Sequence, residues 1–502
     1  MENILAVFNP NVFLPLLVSM FFGIFVGGIP GLTATMAVAL IIPISYYLSP
    51  LAGLAMVLGA SFTAIFSGDI PATFLRIPGT PASGAATLDG FEMTKKGKGS
   101  LALTLDLFCS AIGGTIGIVL LIVVAPPLAN LALQFTNYEY FWLGLFGLSM
   151  SVVLSKGNVI KGLSAAIIGL LISTIGMDIT TGYPRFTFQN IELMSGIEFI
   201  PAMIGLFGLS EVLKRIQGGN KSLSRPTINE KIKVSPLKAL RIIGKRFFVV
   251  VKSAVIGTLI GALPGAGADI AAWVSYGVEK KTSKHPEEFG TGTVDGVIAP
   301  TSANNAALGG TWIPALVFGI PGDTITAIVL GAMLMFGIQP GPLIFEESGD
   351  LVTGIFTVAL VAQVLLIFVG FVGIKAYSQV LKLKTSTVMA GVVIFSMIGS
   401  YAIRNSFFDI YVMLIFGIMG FLLEKIDVPL APMILGIILG PMIEDNLRVG
   451  LTKTGGDMSL FFQRPISIVF ICLIVFTFTS GYLFKFLKYV FKGKGRNEIK
   501  NN

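Results

Sequence analysis

Ile70-Pro71-Ala72-Thr73-Phe74-Leu75-Arg76-Ile77-Pro78-Gly79 and Ile313-Pro314-Ala315-Leu316-Val317-Phe318-Gly319-Ile320-Pro321-Gly322 align without a gap, and six of the ten positions are identical. A second matching break precedes each. The early one is Gly28-Ile29-Pro30-Gly31-Leu32-Thr33-Ala34-Thr35, and the later one is Ala262-Leu263-Pro264-Gly265-Ala266-Gly267-Ala268-Asp269. The order of the two breaks is the same in both halves, so the chain carries an internal repeat. Pro removes a backbone donor and Gly permits left-handed turns, so each site interrupts whatever helix surrounds it.

The surroundings are apolar. Of 502 residues, 54% are hydrophobic and only 12% charged, against roughly 25% charged in an ordinary soluble protein. Mean hydropathy is +0.85. A water-solvated globule of this composition lacks the polar surface to cover itself, and an all-α polytopic membrane bundle follows. Apolar runs able to cross ~30 Å of hydrocarbon lie at 12–26, 101–124, 141–154, 159–175, 199–213, 247–263, 325–336, 352–374, 388–403, 410–423 and 466–484. Several are short enough to be tilted, half-length or re-entrant, and roughly ten to thirteen membrane segments are expected.

Residues 214–246 hold ten of the 35 basic residues, and the tail after Phe484 adds six more. Basic loops stay cytoplasmic, so both segments are placed inside. The chain then divides into a first membrane half (1–213), a basic connector (214–246), a second membrane half with C-terminal helices (247–484) and a basic tail (485–502). Orientation in the membrane accounts for the net charge of +8 without a nucleic-acid partner. Met1-Glu2-Asn3 carries no Lys or Arg, which favours an outside N-terminus and disfavours a cleaved signal peptide.

In lipid, broken backbone is tolerated only where it is buried in protein or lines a water-filled cavity. Two paired breaks, flanked by Thr, Ser, Asn and Asp, predict a polar cavity near the midplane. Half-helix N-termini there present N–H donors and a positive dipole end, suited to a carboxylate. The candidate substrate ligands are Gly31, Thr33, Thr35, Arg76, Thr80, Gly265, Gly267, Asn304, Asn305 and Thr324. Arg76 offers a planar fork for a carboxylate, or an ion pair with Asp69. Asp69, Asp269 and Asp323 are the candidate cation-coupling groups, because an intramembrane acid must pair or bind something. Asp269 and Asp323 fit Na⁺ together with freed carbonyls, a carried proton, or the capping of a half-helix.

Other chemistries fare poorly. Cys109 and Cys472, both in apolar runs, exclude a disulfide framework and thiolate-rich metal sites. The single histidine, His285, sits in a polar stretch, which removes a membrane-buried catalytic His. No Gly-x-x-x-x-Gly-Lys-Ser/Thr loop occurs, so an ATP-driven pump is disfavoured. Ser67-Gly68-Asp69 and Pro321-Gly322-Asp323 loosely match an aspartyl intramembrane protease, whose chemistry needs two carboxylates sharing a proton. A channel is the other alternative, since broken helices also build pores. Paired, discontinuous polar elements point instead to a carrier, and no cofactor is expected beyond a coupling ion, Na⁺ or H⁺.

Longer motifs carry a resemblance. Gly31-Leu32-Thr33-Ala34-Thr35-Met36, Ile77-Pro78-Gly79-Thr80-Pro81-Ala82, Gly257 through Ala268, Ala303-Asn304-Asn305-Ala306 and Gly337-Ile338-Gln339-Pro340-Gly341-Pro342 resemble the large membrane subunit of the tripartite tricarboxylate transporters. So do Asn405-Ser406-Phe407-Phe408-Asp409, Leu439-Gly440-Pro441 and Arg464-Pro465-Ile466-Ser467. The resemblance covers essentially the whole chain. It implies a secondary importer of an organic carboxylate in the bacterial inner membrane, driven by Na⁺ or protons through an elevator-like alternation. The implied partners are an extracytoplasmic substrate-binding protein and a small subunit of about four spans, with a homo-oligomer open. Where the family commonly carries small polar residues and Asn, this chain has Asp69, Asp269, Asp323 and Arg76. Those acids either bind cations or accompany a smaller, less charged substrate.

Overall fold

The computed structural model describes residues 6–29, 32–155, 158–178, 181–217, 235–380 and 385–479. Gly31, most of the basic connector and the basic tail therefore lie outside the described residues. Among the described residues helices dominate, with one short hairpin pairing Gly176–Met177 and Pro184–Arg185. Among the same residues seven helices are long and apolar enough to cross a membrane, and five shorter apolar ones accompany them. The chain is a multi-pass membrane protein.

In the first half, α1 (Pro10–Gly27) ends at the first break and α2 (Ala34–Ser45) restarts behind the Thr33 cap, whose hydroxyl accepts the Met36 N–H at 3.1 Å. Helix α3 (Pro50–Leu75) ends at the second break, where Arg76 takes the left-handed φ of 60°. After a 3₁₀ turn at Pro81–Gly84 come α4 (Ala86–Lys95) and α5 (Gly99–Ala132). Next follow α6 (Asn137–Leu154), α7 (Val159–Ser173), a helix α8 over 199–217 that contains one π turn, and the amphipathic α9 (Pro236–Lys245).

The second half repeats the order. Helix α10 (Phe247–Gly261) leads to a break and to α11 (Gly267–Thr282). Helix α12 (Asp295–Phe318) ends at Gly319 with φ 68°, and α13 (Thr324–Met335) and α14 (Gly349–Val380) follow. Four helices close the chain: α15 (Thr385–Arg404), α16 (Phe407–Lys425), α17 (Leu430–Lys453) and α18 (Pro465–Thr479).

The repeat extends to single contacts. Gly23 and Gly27 of α1 lie against the Ala60 and Ala64 carbonyls of α3, and Gly257 and Gly261 of α10 lie against Ala303 and Ala307 of α12. Gly79 nests on Gly27 and Gly68, and Gly322 on Gly261 and Thr311. Small residues at this four-residue spacing let helix backbones approach closely where no hydrophobic effect drives them together.

The packing register also gives the direction of the repeats, which the sequence leaves open. Gly113 and Gly117 of α5 meet Ser302 and Ala306 of α12, so these helices run parallel. Leu107 and Gly114 of α5 meet Gly370 and Gln363 of α14, so that pair is antiparallel. Helix α14 in turn runs parallel to α3, through Leu51–Gly354 and Phe66–Gly370. Helices α3 and α12 therefore run in opposite senses, and the repeats are inverted.

Helices α3 and α12 are absent from the apolar runs read in the sequence. Of the apolar window of α3, 94% is buried inside the protein, so its surface never meets lipid and polar residues are tolerated. Its hydroxyls bond backbone: Ser61 to Leu58 O (2.8 Å), Thr63 to Gly59 O (2.7 Å) and Ser67 to Gly23 O (3.2 Å). Its apolar window still has a mean hydropathy of 1.7, against 1.5 for the less buried 387–404.

Candidate functional site

The breaks of both repeats converge on one cavity of 340 Å³. Thr33, Thr35 and Thr80 line it from the first repeat, and Gly265, Gly267, Asp269, Asp323 and Thr324 from the second. Helices α2, α11 and α13 all begin at its wall, which sets the positive ends of three helices beside it. The Thr35 and Thr324 hydroxyls meet at 2.9 Å and join the two repeats directly.

The glycines of the third break are fixed on two counts. Gly265 and Gly267 hold φ of 83° and 57°, which side chains other than glycine rarely adopt. A Cβ on Gly265 would also stand 2.6 Å from Ser151 Cα, and one on Gly267 2.7 Å from Asp323 Cβ. The Gly265 N–H donates to the Gly322 carbonyl at 2.8 Å, which ties the two second-repeat breaks together.

Asp323 sits at the N-cap of α13. Its Oδ1 accepts the Thr326 N–H (2.7 Å) and hydroxyl (2.6 Å), while the Thr326 hydroxyl accepts the Asp323 N–H at 3.0 Å. This reciprocal box satisfies donors that a helix start otherwise leaves open. The half-buried rim of the cavity carries charge: Lys214 bonds Glu211 at 2.8 Å and Glu424 at 2.9 Å. Sequence reasoning assigned Lys214 to the basic connector and missed this rim. The i, i+3 spacing of Glu211 and Lys214 after an apolar run was the available signal.

Not every candidate reaches the cavity. Arg76 is exposed, with its guanidinium carbon 5.7 Å from the Phe91 ring centroid, and forms no ion pair with Asp69. Asp69, Asn304 and Asn305 are fully buried in a second polar cluster outside the cavity lining. There the Asn304 amide donates to Asp69 Oδ2 at 3.2 Å, and the Asp106 carboxyl lies beside that of Asp69. Asp106 escaped the sequence reading because it sits alone inside the 101–124 run. A lone acid in a hydrophobic span was itself the signal. Asp69 and Asp323, the two acids of the protease-like motifs, do not meet in this arrangement: one is in the buried cluster and the other caps α13.

Residues 13–435 match the tripartite tricarboxylate transporter TctA family. An uncharacterized 52.8 kDa protein in the TAR-I ttuC' 3' region of Agrobacterium vitis is 36% identical over 450 residues, spanning 90% of this chain and 89% of that protein. An uncharacterized protein in the TAR-II ttuC' 3' region of the same organism is 38% identical over 211 residues, 42% of this chain and 87% of its own length. No solved structure matches this chain.

Proposed function

The chain belongs to the tripartite tricarboxylate transporter TctA family, and on that premise we propose that it imports an organic carboxylate, of tricarboxylate or dicarboxylate type, by alternating access. The observation that carries this reading is the meeting of three helix N-termini, those of α2, α11 and α13, on one cavity shared by inverted repeats. Each N-terminus favours an anion by about 0.3–1 kcal/mol when exposed and up to ~2 kcal/mol when partly buried. Thr33, Thr35, Thr80 and Thr324 add hydroxyl donors, and the glycines let the backbone itself approach the ligand.

Asp269, Asp323, Glu211 and Glu424 outnumber Lys214 around the same space. A carboxylate entering there is therefore accompanied by a cation, which is the physical basis for coupling uptake to a Na⁺ or proton gradient. Lys214 adjoins the basic connector, so the cavity opens toward the cytoplasm and this is the inward-facing arrangement. Inverted repeats supply the opposite state by exchanging their conformations around the midplane, with an elevator-like movement of the site as one form of that exchange. Membership of a tripartite system implies a substrate-binding protein and a small membrane subunit, and the binding protein selects the acid first.

The test is uptake of a labelled carboxylate panel into proteoliposomes holding this subunit, the small subunit and the binding protein. Saturable uptake that needs both the binding protein and an inward cation gradient supports the carrier. Flux that never saturates would replace it with a channel, and no uptake of any acid by the intact complex would remove the carboxylate.

A further inference from the structure

Asp69 near the end of α3 and Asp106 of α5 are, respectively, 0% and 1% exposed, and their carboxyls lie side by side. Asp69 Oδ1 and both Asp106 oxygens have no hydrogen-bond donor among the described residues. No Lys, Arg or His of the described residues neutralises either acid. Two adjacent carboxylates in such a place cannot both stay ionised, and one proton held between them supplies the missing donor.

We propose that Asp69 and Asp106 form a buried acid pair that holds one exchangeable proton, connected through Ser83 and Thr80 to the cavity, and that this pair is the carrier's proton-coupling site. The coupling role rests on the carrier reading above; the acid pair itself does not.

The connection runs through two hydroxyls. Ser83 and Thr80 both pack against Gly68, the residue before Asp69, their hydroxyls meet at 2.9 Å, and Thr80 lines the cavity. Hydroxyls both donate and accept, so a proton from cavity water passes along the two by rotation of each O–H. The gain is one proton on a carboxylate, giving a neutral carboxyl, and its return follows the same path. Gly68 makes room for this: a Cβ there would stand 2.7 Å from both hydroxyl oxygens.

Asn304 presents its NH₂ to Asp69, and such a donor stabilises a carboxylate beside a protonated neighbour. The Asn304 Oδ1 lone pairs have no partner among the described residues, so Na⁺ is the outcome that the test below separates from a proton. Of the titratable side chains on elements packed against α3 and α5, Cys109 abuts the pair. Asp89 is taken by Tyr276 and three loop amides, Lys252 by Glu279 and Arg246 by Asp295, and Lys375 is exposed.

Infrared difference spectra of the purified full-length protein test the pair directly. The expected result is a protonated-carboxyl C=O band at neutral pH that Asp69→Asn and Asp106→Asn each remove, and that Asp106→Glu restores at a shifted frequency. Absence of the band in the wild type overturns the pair, and so does its removal by Na⁺ at constant pH, which would make the site a sodium site. In proteoliposomes of the tripartite complex, Asp106→Asn should abolish accumulation driven by a pH gradient while exchange of labelled for unlabelled substrate survives. Accumulation that persists in Asp106→Asn overturns the coupling role. A wild type that exchanges no carboxylate would remove the carrier reading and the coupling role with it, leaving the infrared band to decide the pair.

Discussion

The two breaks after α3 and α12 share a backbone and differ in chemistry. Arg76 and Gly319 both end their helices with φ near 60–70°, and Gly79 and Gly322 both nest on the glycine that ends the preceding repeat helix. Yet Asp69 occupies the place where the second repeat has the buried Trp312, and Thr80 occupies the place of Asp323. The repeat therefore duplicates a scaffold, not a site. One copy carries a buried acid facing a neighbouring helix, and the other carries the acid that caps a half-helix at the cavity. Symmetry supplies two conformations by exchange; the asymmetric side chains decide what binds.

The strongest way to break that comparison is at the shared scaffold. Gly27→Val and Gly261→Val each drive a branched side chain into a carbonyl of the facing helix, Ala64 or Ala307. Overpacking of this kind costs about 3 kcal/mol or more, and both variants should lose the monodisperse peak in size-exclusion chromatography. If one folds normally, the two interfaces are not equivalent. A smaller effect separates the acids. Asp323→Ala removes a cap that accepts both an N–H and a hydroxyl from Thr326 and should cost about 1–2 kcal/mol in thermal unfolding. Thr80→Ala should cost less, since Thr80 makes no cap bond to its short 3₁₀ turn. Equal losses would contradict the division of roles. Thr324→Val cuts the hydroxyl–hydroxyl contact between repeats at the cavity, Thr35–Thr324. With about 1 kcal/mol per hydrogen bond, KM for uptake should rise about fivefold at little cost to folding.

How much of this was legible follows the same division. The breaks were readable because Pro and Gly announce them wherever they fall, and the duplicated Ile-Pro-Ala…Ile-Pro-Gly frame marked them as paired. Thr33, Thr35, Thr80, Gly265, Gly267, Asp269, Asp323 and Thr324 were named from the breaks, and all line the one cavity. Partners that a residue acquires across helices were not readable. Arg76 lies only seven residues after Asp69 in sequence, yet the left-handed turn leaves it at the surface over Phe91. Asp106 lies far from Asp69 along the chain and reaches it only because α5 packs on α3. Helix α12 hid for a related reason: Thr301, Ser302, Asn304, Asn305 and Thr311, all buried against neighbouring helices, interrupt its apolar run, whereas α3 is apolar enough on its own to be read as a span.

The smallest expected effect is also the most direct test of the shared backbone. Gly319 holds its left-handed turn without strain, and a Cβ there would meet nothing nearer than 3.5 Å. Gly319→Ala therefore loses only the conformational term, about 1 kcal/mol. Arg76 already bears that term, so Arg76→Gly relieves it. Against this stands the exposed stacking of the guanidinium on Phe91, worth about 0.5 kcal/mol, and the net gain should be about 0.5 kcal/mol in the unfolding free energy. Opposite signs at two equivalent positions would follow from one backbone carrying two different residues. Destabilisation by Arg76→Gly would instead mean that Arg76 is held by more than its stacking on Phe91, and that the first break owes its shape to the side chain rather than to the repeat.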